Sequence, residues 1–222
     1  MAATLRLLAV LLMAFATSCG ARADADVPPL SAAARAAGFV DVRSVVPNAL
    51  IDLRYATPNN FTHVQLYPAD ARCLVHESMA PGLAAAAKAL ASHGDLMVFW
   101  DCYRPHDVQV KMFNVVPNPA WVAKPGSYAK SHEAGRSVDV TLADASQQCP
   151  RCLIDMGTDF DDFSPRATAF ATGGVSADQQ ANRARLRDAM GAAGLSVYSG
   201  EWWHFDGPGA GVQRPILDVP VD

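Results

Sequence analysis

The stretch Ser131-His132-Glu133-Ala134-Gly135-Arg136-Ser137-Val138-Asp139-Val140-Thr141-Leu142 decides how this chain is read. Val138, Val140 and Leu142 alternate with Asp139 and Thr141. That period belongs to a strand that buries the first set and turns Asp139 to the opposite face. Gly135 permits a tight turn into the strand, so His132 and Asp139 can meet at one point. An aspartate between two valines needs something to offset its buried charge, and a metal ion would do so. A lone histidine is more often a structural hydrogen-bonder, and that reading stands beside the metal one.

Outward from this strand, helices and strands are mixed without regular alternation. Residues 41–55 alternate Val, Ile and Leu with polar residues, in the manner of strands joined at Pro47-Asn48. Residues 80–91 form an alanine-rich helix with Pro81 in its first turn and a stop at Gly94. Residues 96–100 are a short apolar run, read as a buried strand, and a helix follows over 106–115. Ser176 and Gln179 make a capping-box pattern for a helix ending near Gly194, and residues 195–204 read as a closing strand. Arg183, Arg185 and Arg187 on that helix read as its solvated face. With 222 residues, no repeat and no linker, the chain is expected to form one compact α+β domain. Its centre would be a mainly antiparallel sheet flanked by helices, with the metal site on the sheet.

Half of the residues are apolar and 18% are charged, a globular balance. The net charge of −4 and the absence of a Lys/Arg run exclude a nucleic-acid surface. Arg6 precedes an apolar run over 7–15, too short for the roughly 20 residues a bilayer requires. This is the layout of a secretory signal, with Ala21-Arg22-Ala23 as a small-x-small cleavage site. Residues 1–23 are therefore expected to be the signal and 24–222 the catalytic domain, exported to the periplasm or cell envelope without a transmembrane span. Ala16-Thr17-Ser18-Cys19 is an imperfect lipoprotein box, which leaves a lipid anchor at Cys19 open. Cys73, Cys102, Cys149 and Cys152 then permit two disulfides in three connectivities. Cys149-Pro150-Arg151-Cys152 has no second CxxC and reads as a local disulfide pinning a hairpin tip.

Near the C-terminus, Glu201-Trp202-Trp203-His204 supplies a further imidazole and a further carboxylate. His132, Asp139 and His204 make three ligands with one position open, the count of a catalytic zinc site. Glu201 is the residue type that an activated water needs as general base, so a hydrolase is expected. One objection is geometric: in an ideal strand, positions i and i+3 face opposite ways. A bulge or a strand end is needed here. Otherwise the two tryptophans are core anchors, and Glu201 and His204 sit at a solvated edge.

Ser131-His132-x-x-Gly135-x-x-x-Asp139 with Glu201-Trp202-Trp203-His204-Phe205 resembles the zinc D,D-peptidases that cleave D-alanyl-D-alanine, and among them the VanX-type dipeptidases. The resemblance extends through Asp52-Leu53-Arg54-Tyr55-Ala56-Thr57 with Asn60-Phe61, Asp101-Cys102-Tyr103-Arg104-Pro105 and Met156-Gly157-Thr158-Asp159-Phe160-Asp161, in the family's order. It implies one Zn2+ held by His132, Asp139 and His204, with Glu201 as the base. It implies that Arg104 steadies the carbonyl oxygen, and that Tyr55 and Asp161 line the pocket near the substrate's free amino group. The expected reaction splits the dipeptide into two D-alanines, in salvage or turnover of the cell wall. A D,D-carboxypeptidase acting on peptidoglycan stems is the enzymatic alternative. An inactive, metal-stabilised binding domain is another, against which the intact Glu201 and Arg104 argue. Two residues depart from the pattern. Cys102 stands where glycine or another residue is usual, and Lys130 stands where the dipeptidases carry a serine near the substrate amine.

Overall fold

A computed structural model describes residues 27–147 and 152–221 of the chain. In chain order the elements are α1 (Ala32–Ala36), β1 (Phe39–Asp41), α2 (Val42–Val45), β2 (Leu50–Ile51), β3 (Leu74–His76), α3 (Ala80–Ala91), β4 (Asp95–Asp101), α4 (His106–Val115), β5 (Ser137–Asp144), α5 (Ala177–Ala192), β6 (Ser196–Val197) and β7 (His204–Asp206). Five strands form one sheet in the order β2-β4-β5-β7-β6, antiparallel throughout except for the β2–β4 pair. β1 and β3 make a separate antiparallel pair. The mixed α+β class and the mainly antiparallel sheet are those the sequence predicts.

β5 lies at the centre of the large sheet, and Val138, Val140 and Leu142 are fully buried. They share one apolar cluster with Leu83, Ala86 and Leu90 of α3 and with Leu186 and Met190 of α5. Each large aliphatic side chain taken out of water there contributes about 1.5–3 kcal/mol. α5 starts where the sequence places it. The Ser176 side chain accepts from the Gln179 backbone, and the Gln179 side chain accepts in return from Ser176. Among the described residues no helix is long and apolar enough to cross a membrane.

Three expectations need correction. Residues 41–55 are mostly not strand, because Asp41 caps the short helix α2 by accepting from the Arg43 amide at 2.8 Å. Val42 of this helix and its C-cap Val46 are buried, and a spacing of four suits a helix as well as an alternating strand. The closing strand is instead a hairpin: β6 and β7 pair antiparallel, with residues 198–203 looping between them. Arg183 is not solvated but buried. Its Nε donates to the carbonyl of Met156 at 2.6 Å and its Nη1 to that of Arg166 at 2.8 Å. A guanidinium can satisfy loop carbonyls that have no ladder partner, which periodicity alone does not reveal.

Cys102 is explained by a disulfide to Cys73, which ties the end of β4 to the residue before β3. Beyond β5 the chain turns back, and Leu153 bridges to Ala143. Cys149, the partner proposed for Cys152, lies outside the described residues, as do the expected signal segment and Cys19.

Gly135 makes the turn before β5 with φ of 63°. A Cβ there would run into the ring of Phe39 and come within 3.1 Å of the His76 amide nitrogen. Gly135→Ala should therefore lose about 2–4 kcal/mol of stability in urea unfolding. A loss below about 0.5 kcal/mol would show that the turn accepts a side chain.

Candidate active site

Strand pairing builds the site. Asp139 of β5 lies directly opposite His204 of β7, and directly opposed residues share a face of the sheet. On the other side of β5, Phe99 pairs with Val140, yet Asp101 pairs with Asp139. β4 therefore carries one extra residue, Trp100, and this bulge moves Asp101 onto the polar face. Asp101, Asp139 and His204 stand in a row across three strands. The objection from i and i+3 spacing disappears, since β7 starts at His204 and Glu201 belongs to the preceding loop. Trp202 and Trp203 are buried as core anchors, while Glu201 and His204 both reach the cavity.

His132 arrives from the turn before β5. Its Nδ1 lies 2.8 Å from the Cys102 carbonyl, which can only accept, so Nδ1 carries the proton and Nε2 presents a lone pair. His204 is fixed likewise by Asp206, whose carboxylate oxygen lies 3.1 Å from Nε2 and also accepts from Ser137. His204 Nδ1 faces Oδ1 of Asp139 at 3.0 Å and Nε2 of His132 at 3.1 Å. Nε2 of His132 lies 3.4 Å from the same Oδ1.

These separations provide a test of fit. Ligand atoms about 2.0–2.1 Å from a tetrahedral ion stand roughly 3.3–3.4 Å apart. The three side chains form a group able to hold a metal, with both imidazoles oriented by acceptors behind them. Burial pushes the His204 imidazole down, but its hydrogen bonds to Asp139 and Asp206 win and raise it to about 10. Burial opposes ionisation of Asp139 too, and the two histidines hold it well below the usual carboxylate range.

A cavity of about 360 Å³ surrounds the triad, and its wall includes all seven residues singled out from the sequence. Glu201 lies 4.0 Å from His204 Nδ1, too far for a direct hydrogen bond and within reach of a shared water. Burial and the Asp139 charge raise its pKa. Arg104 donates from Nε and Nη2 to Oδ2 of Asp101 at 3.0 and 2.6 Å, and from Nη1 to Gln109 at 2.8 Å. Asp101 is fully buried and also accepts from Tyr67 at 2.6 Å. Tyr55 and Asp161 touch: the phenol donates to Oδ2 at 2.9 Å. Burial, followed by the Asp139 charge, lifts the Asp161 carboxyl well above its usual range. Asp161 also adopts a left-handed backbone with φ of 56°, uncommon outside glycine and tolerated best by Asp and Asn. Lys130 lines the same cavity from an exposed position.

Two contributors carry no role in the sequence reading. Asp206 follows His204 by two residues, and the period of a strand places both on one face, so that signal was available. Asp101 lies in a quoted motif, but its part depends on a bulge that the sequence does not announce.

Residues 35–222 match the peptidase family described as D-ala-D-ala dipeptidase (Peptidase_M15). The D-alanyl-D-alanine dipeptidase of Escherichia coli (strain K12) is 32% identical over 179 residues, 81% of this chain and 89% of that protein. The D-alanyl-D-alanine dipeptidase of Enterococcus faecium is 29% identical over 210 residues, 83% of this chain and 98% of that protein. A solved structure of the vancomycin-resistance D,D-pentapeptidase VanY with Zn(II) is 15% identical, covers 65% of this chain and 84% of its own, and has a TM-score of 0.38.

Asp206→Ala should weaken Zn(II) affinity about 10–100-fold by releasing the His204 ring, as read by competition with a chromophoric chelator. A change below about twofold would show that Asp206 does not orient His204.

Proposed function

Because this chain belongs to the D-Ala-D-Ala dipeptidase family of metallopeptidases, we propose that it hydrolyses D-alanyl-D-alanine to two D-alanines with one Zn2+ held by His132, Asp139 and His204. The observation that carries this reading is convergence: Glu201, Arg104, Tyr55 and Asp161 line one cavity with the three metal-competent side chains. The volume is at the small end of ligand sites, which suits a dipeptide.

When bound, zinc supplies Lewis acidity that polarises the scissile carbonyl and makes hydroxide accessible near neutral pH. Glu201 takes the proton of the attacking water and delivers it to the departing amine. Its raised pKa suits both halves of that task. Arg104, held by Asp101 and Gln109, keeps an N–H group for the carbonyl oxygen as negative charge develops there. Asp161 and Tyr55 receive the substrate's ammonium group, whose charge favours the ionised form of Asp161. Burial and the Asp161 charge hold the Tyr55 phenol well above its usual pKa, so its O–H remains a donor.

Export belongs to the same proposal. The apolar run after Arg6 supports it, and so does the Cys73–Cys102 disulfide, a bond that persists in oxidising compartments. An exported enzyme meets dipeptide released from the wall, which points to salvage or turnover. A lipid anchor at Cys19 remains the alternative to cleavage after Ala23.

Free D-Ala-D-Ala should be cleaved far faster than its N-acylated form, and a chelator should abolish the activity until zinc is restored. Equal rates on the two substrates would replace the dipeptidase reading with the carboxypeptidase one. Activity that survives both the chelator and Glu201→Ala would end the metal mechanism. Asp101→Asn should lower kcat about 10²-fold with unchanged zinc content, because Arg104 loses the carboxylate that aims it. An unchanged kcat would remove Asp101 from the positioning of Arg104.

A further inference from the structure

We propose that Lys130 binds the carboxylate at the leaving end of the dipeptide, an assignment that rests on the dipeptidase reading. A dipeptide at neutral pH is a zwitterion, and the residues given roles above provide for only one of its charges. Asp161 takes the ammonium. The charges acting most on Asp161 are those of Asp139, Arg104 and Glu201. Arg104 is committed to Asp101, Gln109 and the Met112 sulfur, and its remaining Nη2 N–H to the carbonyl oxygen.

Lys130 is the other basic side chain lining the cavity besides Arg104 and the two histidines. Its backbone is pinned on both sides. The amide donates to Glu133 Oε2 at 2.9 Å, and the carbonyl accepts from the Ala134 amide at 2.8 Å. Glu133 is itself buried and bonded to His106. The Lys130 ammonium, in contrast, has no hydrogen-bond or ion-pair partner among the described residues. A pinned backbone carrying an uncommitted cation suits a site that waits for an anion.

Position separates the two ends. Tyr55 and Asp161 line the catalytic cavity alone. Lys130 and Ser131 line it and also an adjoining cleft with Tyr128, Gly211 and Val212. Asp206 lines both as well, but its carboxylate is engaged by His204 and Ser137. The cavity thus offers a carboxyl beside Tyr55 and an uncommitted ammonium where it opens into that cleft, the polarity a zwitterion needs. This arrangement also removes the difficulty posed by a lysine in a family position near the amine. The like charges need not meet if Lys130 serves the opposite terminus.

The test compares D-alanyl-D-alanine with D-alanyl-D-alaninamide, which lacks only the terminal charge. In the wild type the KM of the amide should be about tenfold higher, the worth of one charge-assisted contact. Lys130→Met should raise the KM of the acid about tenfold, hold kcat within about twofold and bring the acid-to-amide ratio near one. Lys130→Arg should retain the preference. An unchanged ratio in Lys130→Met would overturn the assignment, and a lower KM for the acid would place Lys130 against the ammonium instead. Calorimetric binding of both compounds to zinc-loaded Glu201→Ala protein separates the two readings. Absence of hydrolysis by the wild type sinks the activity, whereas equal affinities for acid and amide sink the role of Lys130.

Discussion

The pairing of β5 with β7 is the constraint on which the site depends. Asp139 opposite His204 places two metal-competent side chains on one face, and Val138 opposite Phe205 places two core residues on the other. The same register sets both. A slip by one residue would send Asp139 or His204 into the apolar core and core residues into the cavity. The bulge at Trp100 works from the other edge of β5. It lets Phe99 stay opposite Val140 while Asp101 joins the polar row. Metal chemistry and hydrophobic packing are two readings of one hydrogen-bond ladder.

Such a row is costly unless its charges are matched. Asp101 and Asp139 are almost wholly buried. Asp101 accepts from Arg104 and Tyr67, and Asp139 faces ring nitrogens of the two histidines. Asp161 has the Tyr55 hydroxyl as its partner and no cation in contact, and burial together with the Asp139 charge raises its carboxyl. Neighbouring carboxylates thus differ according to what faces them, and one cavity can hold both a ligand and an ammonium acceptor.

Much of this was legible in the sequence because it rests on local rules. Alternation over 138–142 gave the central strand, and Ser176 with Gln179 gave the start of α5. Residue types gave the metal triad, and family resemblance added Arg104, Tyr55 and Asp161 to the same cavity. What escaped depends on more than local pattern. The loop before β7 removes a clash that alternation seemed to impose on Glu201 and His204. Val42 and Val46 satisfy two periods at once, so a helix passed for a strand. Arg183 became buried because a distant loop has carbonyls to offer, a fact of tertiary structure alone.

The placement of Lys130 leaves one part of the cavity free to change. His132 is locked by the Cys102 carbonyl, and Asp139 and His204 are locked by the central ladder, so exchanging any of them disturbs the framework of the molecule. The Lys130 side chain projects from a short turn, exposed and bound to nothing among the described residues. Mutation can sample that position at little cost to folding. An exchange at Lys130 can therefore alter what the cavity accepts while the framework that holds His132, Asp139 and His204 stays put.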